Sequence, residues 1–411
     1  MTNSIDIVEL TSRGGREVHD QTDRLRAAGP AVRVRMPEGV TAWSVTRGEV
    51  AKFLLTHPEV SKDARKSWPD YKPGAIAWLN PWVDIVSMLT SDGADHQRLR
   101  KLVGKAFTPR RIDDLRPAIE ATVLELLDAL DDADVPGTPT DLRAAFALLL
   151  PTRVICDLFG VPDGQRHAML SALEASLETD VTPQEAAATR DGLSAAMHAL
   201  IDHKRHTPGD DMTSVLLATH EEDGDHLSEE ELISTLINMV GAGSQTTAAV
   251  IDHAVCELLT HPDQLAAAIK QPHRWDDVVE ETLRLHAPIM HLPLRYATGD
   301  IDLGEGVVVG KGELIVISFA AHGRDPRVHE AADSFAIDRE DKAHLAFGHG
   351  VHYCIGAPLT RLEAKIALPA LFARFPELSL AAGVTELKPK TSFIDNDYRS
   401  LPVHLRQRAG L

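Results

Sequence analysis

The sequence predicts a mainly α fold with a smaller β region, and three observations carry that prediction. One segment beginning at Ser228 has the cap, length and all-round apolar content of a buried helix. Strand patterns are confined to two short regions, and most of the rest reads as helix. No internal repeat, low-complexity tract or Pro/Gly/Ser-rich linker divides the chain, so residues 1–411 are expected to form a single domain.

In chain order, Val32 to Met36 and Val40 to Val45 are alternating runs joined by Pro37, Glu38 and Gly39, the pattern of a hairpin. Residues 66–90 mix prolines and tryptophans with weak periodicity and are too apolar for a plain solvated connection, so they are expected to line a pocket. The run HQRLRKLVGKAF, from His96, places His96 and Arg100 four apart on one side of a helix. The long helix opens with a capping box of Ser228 and Glu231 and a staple of Leu227 on Leu232, and it runs to His261-Pro262. That is about thirty residues, or roughly 50 Å at 1.5 Å per residue, enough to cross the molecule. Asn238, Gln245, Asp252 and Glu257 within it argue against a membrane span. Ile301 to Ser318, rich in Val and Ile and punctuated by glycines, predicts two or three further strands. Ile355, Leu359, Leu362 and Ile366 then mark the apolar stripe of a late helix.

The 42 basic and 61 acidic residues give a formal net charge of -19, which opposes unspecific binding to a nucleic-acid polymer or an anionic membrane. Against that background, no acidic residue occurs from His96 to Arg111, so a local positive patch is expected. The first twenty residues offer neither a signal-peptide core nor a spanning helix, which predicts a cytoplasmic protein. The three cysteines, Cys156, Cys256 and Cys354, are odd in number and widely spaced, which speaks against a disulfide framework.

The chemistry concentrates in Phe347-Gly-His-Gly-Val-His-Tyr-Cys354-Ile-Gly356. A cysteine at the entry to a helix gains from exposed backbone N–H groups that favour a thiolate, and the glycines let that backbone approach a flat ligand. Phe347 is placed to shield the sulfur. Two other readings stand beside this one: an inert buried cysteine, or a zinc site built from His349, His352 and Cys354 with a fourth ligand.

At these residues the sequence resembles the cytochrome P450 family, over essentially the whole chain. The Phe-x-x-Gly-x-x-x-Cys-x-Gly spacing is specific, and Glu281-Thr-Leu-Arg284 and Arg324-Asp-Pro326 precede it in the family's order. VTAWSVT, VSKDAR, DHQRLR and ALPALFARFPELSL look closest to soluble actinobacterial members of family 154. The resemblance implies a triangular-prism fold with the long helix over haem b, with Cys354 as axial thiolate. It implies that His96, Arg100, Arg295 and His352 meet the haem propionates, with Phe347 beside the sulfur, and that Glu281, Arg284 and Arg324 form a buried ionic cluster beneath the haem.

On the distal side the resemblance places Ala242 and Gly243 over the iron, leaving space for O2, with Thr246 as the proton-delivering threonine. Gln245 departs from the acid usual there: an amide orients water but does not exchange a proton as a carboxyl does. The implied activity is oxidation of a hydrophobic natural product, with electrons from ferredoxin and ferredoxin reductase received at the positive patch. The alternatives are oxidative radical coupling of aromatic substrates such as tryptophan-containing cyclic dipeptides, and a non-catalytic haem gas sensor. Met88, Leu89, Asn238, Met239, Ile289 to Leu292, Phe393 and Ile394 are the expected substrate border.

Overall fold

The structure is a computed structural model that describes residues 7–10, 16–135, 137–176, 181–218 and 226–406. It is mainly helical, with a six-stranded sheet near one side. The sheet runs in the order Val8–Glu9, Val32–Arg35, Thr41–Val45, Leu314–Ser318, His291–Ala297, Val60–Ser61. The predicted hairpin is present: Val32–Arg35 pairs antiparallel with Thr41–Val45, with Val32 opposite Ser44 and Arg35 opposite Thr41. Of the predicted strands in 301–318, Ile301–Asp302 and Val308–Val309 make a separate two-stranded ribbon, and Leu314–Ser318 enters the large sheet.

Residues 66–90 fold onto the sheet as a short 3-10 turn, Ala77–Leu79, followed by a π turn, Asn80–Asp84. Trp78 explains why so apolar a segment is not left in solvent. It is buried, packs edge-on against Phe393 at 5.3 Å between ring centroids, and donates its indole N–H to the Pro37 carbonyl. Farther on, the Ser234 hydroxyl accepts from the Val86 N–H at 3.1 Å and fastens this segment to the long helix.

That central helix is Glu229–Thr260, 32 residues, with the predicted capping box complete: Ser228 Oγ accepts from the Glu231 N–H at 3.2 Å, and Glu231 Oε2 accepts from the Ser228 N–H at 2.8 Å. Leu232, Leu236, Val240, Val250, Ile251, Val255 and Leu258 are all buried, so it is clasped on every side. Its mid-helix glycines have a packing cause. A Cβ on Gly243 would lie 2.7 Å from Ile155 Cδ1 of helix Leu149–Leu158, and one on Gly241 would lie 3.1 Å from Leu173 Cδ2. The helices meet so closely that a larger residue at either position would push Ile155 or Leu173 aside, which sets a packing gain against the ~1 kcal/mol a helical glycine costs relative to alanine. The Cβ direction of Gly243 points to Ile155.

The ionic cluster also differs from expectation. Arg284 and Glu281 are fully buried and bidentate, with Nε–Oε2 and Nη2–Oε1 both 2.7 Å. Their third member is Arg339, whose Nε donates to Glu281 Oε1 at 3.2 Å. Arg324 instead pairs with the exposed Asp333 at 2.8 Å. The reason is geometric. Arg324 follows the short helix Phe319–Gly323 and is mostly buried beside the Leu285 carbonyl, whereas the chain from 330 to 339 wraps back to bring Arg339 onto Glu281.

Candidate active site

The loop before helix Ala357–Arg374 is set by its glycines and one backbone clasp. Gly348 and Gly350 both hold φ of 74°, a region open to glycine, and the Cys354 N–H donates to the Phe347 carbonyl at 2.9 Å. Cys354 sits deep in the molecule yet keeps exposed surface, as a side chain on a concave wall does; Cys156 and Cys256 are buried. Burial pushes the Cys354 thiol up, opposed by the N–H groups of Gly356 and Ala357 and by the Arg100 and Arg361 charges. Cys156 has no such donors, and burial raises it to about 11. The Phe347 ring is buried beside the loop, with the Arg361 guanidinium 4.6 Å from its centroid. Arg361 in turn binds Glu280, with Nη2–Oε2 at 3.0 Å, which ties the loop to the Glu281 helix. His349, His352 and Cys354 are not gathered into a metal-binding set, and no such set of three or more occurs among the described residues.

Beside the loop the structure brings together all four expected cationic or donor residues and adds a fifth. His96 and His352 rings lie 4.2 Å apart, and Arg100 Nη2 donates to the Tyr353 carbonyl at 2.7 Å. His352 is lowered to about 2 by burial and by the nearby Arg295, His96, Lys62 and Arg100. Lys62, fully desolvated, is the residue the sequence reading missed; its Nζ donates to the Pro293 and Leu294 carbonyls at 3.0 Å each. Burial lowers Arg295 to about 10, which leaves it charged at neutral pH. His96 Nε2 and Arg295 Nη1 are buried without a protein partner. A cluster of donors this rich, with buried N–H groups unsatisfied, suits an anionic guest.

The central helix meets the cysteine helix where Thr247 and Thr360 hydroxyls approach at 3.0 Å. One residue earlier, the Thr246 hydroxyl donates to the Ala242 carbonyl at 2.7 Å. Ala242 is exposed in the middle of an otherwise buried helix. Gln245 is no neutral surface position: its Oε1 accepts from Arg143 Nη2 and from Lys390 Nζ, both at 2.8 Å. Arg143 reaches on to Asp252 and Asp397, at 2.6 Å each. Sequence spacing gave no sign of these contacts, because Arg143 and Lys390 lie more than a hundred residues from Gln245.

Of the expected substrate border, Leu89, Asn238, Ile289 and Leu292 are half-buried, while Met88 and Met239 retain 9% and 7% exposure. Phe393 and Ile394 have none and pack in one core cluster with Trp78. The Val86–Ser234 bond fastens the segment that carries Met88 to the helix that carries Asn238 and Met239.

The Cytochrome P450 family model matches residues 182–394 of this chain. The chain belongs to that family. It is 45% identical over 400 residues to 2-hydroxy-5-methyl-1-naphthoate 7-hydroxylase of Streptomyces carzinostaticus, covering 96% of this chain and 97% of the relative. It is 39% identical over 384 residues to cytochrome P450 monooxygenase PikC of Streptomyces venezuelae, covering 93% of this chain and 90% of that one. Among solved structures it is similar to CYP154A1 from Streptomyces coelicolor A3(2), with TM-score 0.90 and 45% identity, covering 97% of this chain and 100% of that chain. The testosterone-bound CYP154C4 from Streptomyces sp. ATCC 11861 superposes with TM-score 0.90 at 40% identity, covering 98% and 99%.

This cytochrome P450 is a monooxygenase, an oxidoreductase whose family carries haem with an axial cysteine thiolate, so the gas-sensor reading gives way to an enzyme. The residues present fit that group. The exposed Cys354, with two backbone N–H groups at its thiol, suits the iron, and the orphaned side-chain nitrogens of His96 and Arg295 suit two propionates. No single described helix is long and apolar enough to cross a membrane.

Proposed function

We propose that this cytochrome P450 is a single-domain enzyme that inserts one oxygen atom of O2 into a hydrophobic natural product, using electrons from a ferredoxin and its reductase. The observation that carries this reading is the position of Cys354: an exposed sulfur held by Gly356 and Ala357 N–H groups, beside a helix tied to the central helix at Thr360–Thr247. Bound haem supplies the redox chemistry, in which O2, two electrons and two protons yield one inserted oxygen and one water.

The protein's own residues bind, orient and exclude. Cys354 is the iron ligand, Phe347 covers its sulfur, and His96, Arg100, Arg295, His352 and Lys62 hold the propionates. Thr246, whose proton is engaged by the Ala242 carbonyl, keeps its oxygen lone pairs free to hold a water on the distal side. Leu89, Asn238, Met239, Ile289 and Leu292 form the apolar border with one amide for a specific polar contact. The relatives that support the substrate class act, by name, on a naphthoate or bind testosterone. The exposed Lys101, Lys105 and Arg110, with Val351 and Tyr353 beside the cysteine loop, form the face that receives the ferredoxin.

Gln245 favours one second reading, oxidative coupling, because an amide stands where an acid is usual; a solved relative at 30% identity and TM-score 0.87 forms a C–S bond. Turnover under labelled O2 separates the two. One labelled oxygen in the product supports monooxygenation, and a product equal to two substrates less two hydrogens supports coupling. Unlabelled, oxygen-independent product would overturn both.

A further inference from the structure

Arg143 is a single buried guanidinium asked to serve three acceptors on two segments. Its Nη2 donates to Gln245 Oε1, and its Nη1 lies 2.6 Å from Oδ2 of both Asp252 and Asp397. Gln245 and Asp252 stand seven residues apart, two turns along the same face of the central helix, so one side chain from outside grips that face at two levels. The two carboxyl groups are not equivalent. Asp397 also accepts from the Tyr398 N–H at 2.8 Å and has Lys390 at 3.9 Å. Asp252 has only Arg143; each carboxyl keeps one buried oxygen without a hydrogen-bond partner, Oδ1 of Asp252 and Oδ2 of Asp397, so the difference between them is the Tyr398 N–H and Lys390 on the Asp397 side.

We propose that Asp252 is held protonated beside an ionised Asp397, and that this pair, through Arg143, fixes the Gln245 amide with its oxygen turned to the two cations and its Nε2 donor presented to the distal side. The inference rests on the reading of Gln245 and Thr246 as the distal face. With Asp252 neutral, Asp397 faces both Arg143 and Lys390, Asp141 stands beside them, and the two cations both donate to the Gln245 oxygen. A flipped amide would set its own N–H groups against Arg143 and Lys390, so the orientation is enforced by charge.

The surroundings agree. The groups facing Asp252 are Asp397, Arg143, Asp141, Cys256 and the Tyr398 hydroxyl, with Glu257 beyond; burial first and Asp397 second raise its pKa well above the ordinary carboxylate value, against Arg143. Asp397 faces Arg143 and Lys390 and is raised as well, chiefly by burial, but with more opposing it. His253, the next residue on the helix, is lowered well below its usual value by burial and stays neutral. Asp252, Asp397 and Arg143 are therefore positioning residues, acting through Gln245.

Infrared spectroscopy of the resting haem-loaded protein tests this without turnover. The wild type is expected to show a protonated-carboxyl carbonyl band at neutral pH that shifts in D2O and is lost as pH rises. Asp252→Asn, which mimics the protonated acid in shape, should fold, load haem and lack that band; Asp252→Leu, which removes the polar contact altogether, should lose it as well. With any substrate found by Soret shift, the pH profile of product formed per electron should lose its alkaline limb in Asp252→Asn. Identical infrared spectra in wild type and Asp252→Asn, or an unchanged alkaline limb, would overturn the proposal. Because the band is read in resting protein, it can fail while labelled-oxygen turnover succeeds, and the reverse.

Discussion

Glu281 lies between two guanidinium groups, whereas Arg143 lies between two carboxyls. The first cluster supports the cysteine loop through the adjacent Glu280 and Arg361, and the second supports the distal stretch of the central helix. In the first, the remaining donors are met: Arg284 reaches the Ala332 and Ser334 carbonyls at 2.7 and 2.9 Å, and Arg339 reaches Glu330 and Ala331. In the second, an oxygen of Asp252 is left without a donor. A saturated cluster has one protonation state and behaves as scaffold; an unsaturated one can change state, and so can take part in chemistry.

The largest expected effect falls on the saturated side. Arg284→Ala takes the bidentate partner from a fully buried carboxylate, leaving it Arg339 and the Ala336 N–H on one oxygen, and should cost about 3–5 kcal/mol, read by denaturant unfolding of the haem-loaded protein or as failure to accumulate. The membership of that cluster is sharpened by double-mutant cycles with Glu281→Gln. Arg339→Ala should couple by about 1–3 kcal/mol, and Arg324→Ala should couple near zero. Coupling of Arg324 and not Arg339 would contradict the geometry.

That correction shows where sequence legibility ends. Cys354, its glycines and the Ser228–Glu231 cap were readable because each is fixed within a few residues by backbone geometry. Glu281 and Arg284 were readable as a spaced pair, but the choice of Arg339 over Arg324 depends on how the chain from 324 to 339 wraps. The close neighbours of Gly241 and Gly243 lie on two other helices, at Leu173 and Ile155, where no local pattern points. Lys62 and Arg143 carried no local signal, since their partners are more than a hundred residues away. The burial of Phe393 and Ile394 under Trp78 was likewise not legible locally, because Trp78 is more than three hundred residues away in the chain.

Arg143→Ala should be milder than Arg284→Ala, at about 1–3 kcal/mol, because two carboxyls left facing each other can relax by taking up a proton, which a lone anion achieves less readily. Equal costs would break the distinction between the clusters. The smallest effect is a slope. Asp252 is raised in the native state, so the folded chain holds a proton that the unfolded chain has lost, and stability falls as pH climbs from the ordinary carboxylate range to the raised value. Asp252→Asn removes that fall, so the wild-type and variant stability curves should diverge with rising pH in the variant's favour.

Everything on both faces presupposes that Cys354 ligates the iron. The spectrum of the reduced, carbon monoxide-bound protein tests this most directly, since thiolate coordination shifts the Soret band strongly to the red. Wild type, Cys156→Ala and Cys256→Ala should all show the shifted band, and Cys354→Ala should lack it. A shifted band in haem-loaded Cys354→Ala would contradict the account.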